Sequence, residues 1–134
     1  MKRARKGSPN LELLLLDDEE AILSPTAAYF RTLGFAVDVA REAEEAEALV
    51  HHRRYDVAIL DLRVTPYGGT EGLEVLREIR RRHSRTVVIL LSAYVSPEVE
   101  AEARALGSDA VLRKPQPLPE LAHLAFARLG GGGE

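Results

Sequence analysis

The chain has 134 residues, 46% hydrophobic and 29% charged, which is enough for one self-sufficient core and too apolar for a disordered chain. A formal net charge of −3 argues against a nucleic-acid coat, and the absence of cysteine excludes disulfides, thiolate metal sites and cysteine nucleophiles. The apolar runs Leu13 to Leu16 and Val87 to Leu91 fall far short of a bilayer span, so a cytoplasmic domain with no membrane and no direct nucleic-acid contact is expected.

Met1 to Asn10, with Lys2, Arg3, Arg5 and Lys6 followed by Gly7, Ser8 and Pro9, carries no hydrophobic period and is expected to be a flexible basic arm. Leu11 to Leu16 then reads as a strand ending in Asp17-Asp18-Glu19-Glu20. A helix is expected between Glu19 and Leu33, either kinked at Pro25 or starting late with Ser24 as its cap, and Gly34 sits where it should stop. Phe35 to Val39 is the second strand, and Ala43, Ala46, Leu49 and Val50 form the stripe of the second helix.

Val57 to Leu60 is the third strand and runs directly into Asp61. After the segment Arg63 to Gly72, the spacing of Gly72, Val75, Leu76 and Ile79 predicts a helix that closes on Arg80, Arg81, Arg82 and Arg85, cations that complement its dipole. Thr86 to Leu91 is a strand ending in Ser92, followed by a helix with Val99, Ala103 and Leu106 on one side and Gly107 at its end. Ala110 to Leu112 leads to Lys114-Pro115, and Leu118, Leu121, Ala122 and Ala125 mark the last helix. The expected organisation is an arm over 1–10, a folded domain over 11–129 and a Gly-rich tail over 130–134. Several strands are apolar at consecutive positions, as strands covered on both faces must be. Five repeats of strand then helix therefore imply an α/β fold, a doubly wound parallel sheet with helices on both faces.

In such a sheet ligands bind beyond the carboxyl ends of the strands, where Asp17, Asp18, Asp61, Ser92 and Lys114 all fall. Taken singly, the first two could simply start a helix and Ser92 could be a turn residue. Asp61 carries more, because a carboxylate directly after an apolar strand is costly unless partnered. Lys114 is the lysine of a folded part otherwise built on arginine, and a compact ammonium suggests a fitted role. His51, His52, His83 and His123 show no metal-ligand spacing.

Together, an acidic pair after strand one, Asp61 after strand three, Ser92-Ala93 after strand four and Lys114-Pro115 after strand five resemble the response-regulator receiver family, over Leu11 to Leu129. The resemblance implies a flavodoxin-like strand order 2-1-3-4-5 and a signalling switch, not a classical enzyme. Asp61 would be the phosphoacceptor, with Lys114 and Ser92 on the phosphoryl oxygens. Mg²⁺ would be held by Asp17, Asp18, Asp61 and the main-chain carbonyl of Arg63, Asp18 being favoured over Asp17 as the direct ligand. The implied partners are a sensor histidine kinase or histidine phosphotransfer protein and a downstream effector protein or domain, with a phosphorylation-dependent dimer as a further implication. Three departures stand out: Arg63 to Gly72 is about three residues longer than the usual form, Val111 replaces the usual switch aromatic, and Arg63 and Tyr94 are bulky where they flank the site. A pseudo-receiver that binds partners without being phosphorylated is the alternative. An aspartyl-phosphate hydrolase ranks last, since Arg63 stands where such enzymes usually carry a second acid.

Overall fold

The computed structural model describes residues 11–63 and 69–131. The basic arm, residues 64–68 of the longer loop, with Pro66 and Gly68, and residues 132–134 of the tail lie outside the described residues. The elements alternate as expected: β1 (Leu11–Leu16), α1 (Glu20–Thr32), β2 (Phe35–Ala40), α2 (Ala43–His52), β3 (Val57–Asp61), α3 (Glu71–Arg82), β4 (Val87–Ser92), α4 (Pro97–Ala105), β5 (Ala110–Arg113) and α5 (Leu118–Gly131). The strands form one parallel sheet in the order β2-β1-β3-β4-β5.

The consecutive apolar residues have a direct explanation in the pleat, which sends neighbours to opposite faces. Leu13, Leu15, Val57, Ile59, Val87 and Ile89 face the layer of α1 and α5, where Leu23, Phe30, Leu121 and Ala125 cover them. Leu14, Leu16, Ala58, Leu60, Val88 and Leu90 face α2, α3 and α4, packed by Val50, Leu73, Leu76, Ile79 and Ala103. Each such leucine, isoleucine or phenylalanine removed from water is worth about 1.5–3 kcal/mol, so both faces of the sheet are strongly specified.

The ends of β2, β3, β4 and β5 shift by single residues from the sequence reading, and two helices differ by more. α1 neither starts late nor uses Ser24 as its cap: it begins at Glu20 and runs through Pro25. The missing Pro25 N–H is tolerated because Leu23, Ala27 and Phe30 are buried on the sheet and hold the helix in place. α5 continues through Gly130 and Gly131, into the segment expected to be tail. Glycine costs about 1 kcal/mol in a helix, and the packing of Leu124 and Leu129 against the core anchors the final turns. Gly34 and Gly107, with φ of 98° and 100°, end α1 and α4 in the left-handed region as expected.

Candidate functional site

Between β1 and β3 the strand order reverses, and their carboxyl ends open the crevice that this topology reserves for ligands. Backbone pairing continues past the strand ends and fixes the crevice walls. Asp17 N donates to Ala40 O (3.1 Å), Leu62 N to Leu91 O (2.8 Å) and Lys114 N to Ser92 O (2.7 Å). Side chains carried on so rigid a frame can be held to the tolerance that a reaction centre needs.

The five side chains singled out from the sequence converge here. Asp17, Asp61 and Ser92 are buried, and one carboxylate oxygen from each of Asp17, Asp18 and Asp61 lies within 4.8 Å of the others. Lys114 Nζ lies 3.0 Å from Asp17 Oδ2, 3.3 Å from Asp61 Oδ2 and 3.9 Å from Glu19 Oε1. Asp17 Oδ1 accepts from Glu19 N at 2.9 Å, whereas among the described residues Asp61 Oδ1 receives a long 3.4 Å bond from Arg63 N. The Ser92 hydroxyl donates to Tyr94 O (2.7 Å) and accepts from Tyr94 N (3.2 Å). A cleft of about 330 Å³ opens above these groups, with Arg63, Ala93 and the exposed Tyr94 on its walls.

Two buried carboxylates share one ammonium, and the electrostatics record the imbalance. Burial, opposed by Lys114 and reinforced by Asp17, pushes the Asp61 carboxyl up from 3.8 to about 6. Burial alone would lower Lys114, yet its hydrogen bond to Asp17 and the charges of Asp61 and Asp17 outweigh it and hold the ammonium above its usual range. The pair is thus still short of positive charge. Three convergent carboxylates offering only oxygen suit a hard cation such as Mg²⁺, which takes few protein ligands and keeps its waters. The residues present therefore fit the divalent ion that the sequence implied.

Gly72 has a site role that the sequence did not give it. A Cβ on Gly72 would meet Asp61 O at 2.6 Å and Leu62 Cα at 2.8 Å, so only glycine lets the first turn of α3 press against the backbone that carries Asp61. Gly72 N also donates to Leu62 O at 2.9 Å. Its helical spacing suggested an ordinary stripe position; the available signal was a glycine in the first turn after a strand-end carboxylate. Val111, in place of an aromatic, is buried in the core beneath α4.

Comparison with known proteins places this geometry. The family model for the response regulator receiver domain matches residues 13–126. The photosynthetic apparatus regulatory protein RegA of Cereibacter sphaeroides is 34% identical over 116 residues, 87% of this chain, and the match spans only 61% of that relative. Among solved structures, the receiver domain of the Francisella response regulator 1452 superposes with a TM-score of 0.78 at 31% identity, covering 92% of this chain and 99% of that one. The receiver domain of the sensor histidine kinase PA1611 of Pseudomonas aeruginosa, solved with a magnesium ion coordinated in its active-site cleft, gives 0.76 at 26% identity, covering 91% and 99%.

Proposed function

The chain belongs to the response regulator receiver family, and from that premise we propose that it is a phosphoacceptor switch in which Asp61 takes a phosphoryl group from a histidine kinase or histidine phosphotransfer protein. The observation that carries the reading is the arrangement of Asp17, Asp18, Asp61 and Lys114 at the topological switch point. Asp61 Oδ2 is engaged by Lys114, which leaves Oδ1 as the nucleophile. Oδ1 attacks phosphorus, the P–N bond of the phosphohistidine breaks, and the imidazole nitrogen keeps the electron pair. With a folded-state pKa of about 6, Asp61 is ionised at neutral pH as this attack requires.

Lys114 supplies a fixed positive charge to the phosphoryl oxygens, which catalyses a loose transition state without reorganisation. Asp17, Asp18, Asp61 and the Arg63 carbonyl would hold Mg²⁺, whose charge neutralises the transferred group. Once Asp61 carries phosphate, the Ser92 hydroxyl turns from Tyr94 O to a phosphoryl oxygen. That breaks the local hook between Ser92 and Tyr94 and shifts the segment leading into α4, passing the signal to an effector protein or domain and, in a further step, to a dimer. Because Val111 fills the place of the switch aromatic, backbone movement alone carries the change. Incubation with labelled acetyl phosphate tests the reading: the parent should take up label only with Mg²⁺, and Asp61→Asn should take up none. Equal labelling of Asp61→Asn, or labelling indifferent to chelation, would overturn it.

A further inference from the structure

At the edge of the sheet opposite the acidic site, two clefts of about 350 and 620 Å³ meet along Ser84, Arg85, Thr86 and Leu129. Arg54 and Arg82 border one cleft and Arg128 the other, with Arg85 between them. Arg54, Arg85 and Arg128 are exposed and, among the described residues, pair with no acidic group. The acids at the rim are already engaged. Asp56 Oδ2 accepts from Glu12 N at 2.8 Å, and Asp109 Oδ2 from Val88 N at 2.8 Å and Arg80 Nη2 at 3.1 Å.

The charge of the chain is therefore polarised: carboxylates crowd the carboxyl ends of the strands and unpaired guanidinium groups the amino ends. A net charge of −3 averages the two away.

We propose that this basic trough binds the phosphate backbone of nucleic acid. A protein partner would need an apolar or aromatic centre to bury, but Tyr55, Thr86 and Val87 in the trough floor are themselves buried, Leu129 is the one half-buried apolar residue of the lining, and the exposed charge is guanidinium. Phosphate recognition needs only such cations and hydrogen-bond donors. A concave trough with arginine on both walls matches a strand better than a flat bilayer. The face lies at the far edge from Asp61.

The test is fluorescence anisotropy of a labelled duplex of about 20 base pairs titrated with the full chain from about 50 to 200 mM salt. The parent should bind with log affinity falling linearly in log salt. Arg54→Gln with Arg85→Gln and Arg128→Gln should weaken binding at least tenfold at low salt and flatten the slope by about 2–3, at roughly 0.9 per lost phosphate contact. The corresponding triple lysine variant should keep the slope, which shows that charge and not a folding defect is responsible. No binding at about 50 mM salt, or a glutamine variant equal to the parent, would overturn the proposal. So would polyglutamate competing as well per charge as unlabelled duplex, or phosphatidylserine vesicles binding as well, which would assign the trough to an acidic protein or a membrane.

Discussion

Removing the Asp61 carboxylate should make this protein more stable. Asp61 is buried beside Asp17 with one ammonium between them, and its carboxyl is pushed up from 3.8 to about 6. The folded state therefore binds this proton more tightly than the unfolded chain. The contribution of Asp61 to stability is highest below about pH 4, falls as pH rises toward 6 while only the unfolded form ionises, and stays at the lower level above that. The ceiling on the loss is about 3 kcal/mol, from 1.36 kcal/mol per pKa unit. In Asp61→Asn that loss disappears, but Lys114 also gives up one of its two close carboxylates, so the net gain at pH 8 should be about 1–2 kcal/mol. Mg²⁺ at tenfold its dissociation constant should return about 1.4 kcal/mol to the parent and far less to the variant. Urea unfolding followed by circular dichroism at pH 4 and pH 8, with and without Mg²⁺, reads all of this. An Asn variant no more stable than the parent at pH 8, or a difference that does not change with pH, would mean that the buried Asp61 carboxylate does not destabilise the fold.

Three further outcomes are expected. Gly72→Ala, whose Cβ would sit 2.6 Å from Asp61 O, should cost about 1–3 kcal/mol in urea and slow labelling of Asp61, and an unperturbed variant would disprove the close approach. Arg63 and Tyr94 wall the cleft, and two such large side chains leave little room for a hydrolytic water, so Arg63→Asn with Tyr94→Glu should shorten the life of the phosphorylated form roughly tenfold, about 1.4 kcal/mol of barrier. First-order loss of label after donor removal measures it; an unchanged or slower decay would mean these side chains are no shield. Beryllofluoride should produce its largest amide shifts between Ala93 and Leu118, because Ser92 controls entry to that region, and shifts confined to α1 and α2 would contradict that route.

The sheet was readable because its strands are buried on both faces, which turns each into an unbroken apolar run that no amphipathic helix of this length would show. The site was readable because parallel topology collects strand-end residues, so Asp17, Asp61, Ser92 and Lys114 could be placed together without any coordinates. The unread parts depend on tertiary contact. Pro25 looks like a boundary until Leu23, Ala27 and Phe30 are seen to bind α1 to the sheet on either side of it. Gly72 looks like one more stripe position, because close approach between backbones leaves no periodic trace. Net charge concealed the basic edge, since a sum carries no information on where Arg54, Arg85 and Arg128 lie.

Asp61 should carry the phosphoryl group as an acyl phosphate. The chain labelled with acetyl phosphate in Mg²⁺ is reduced with borohydride, which converts an aspartyl phosphate into homoserine, and the digest is sequenced by tandem mass spectrometry. Homoserine is expected at position 61 and nowhere else, lost on chelation of Mg²⁺. Homoserine at Asp17, Asp18 or Asp56, or its absence from every position in chain that has taken up label, would contradict it.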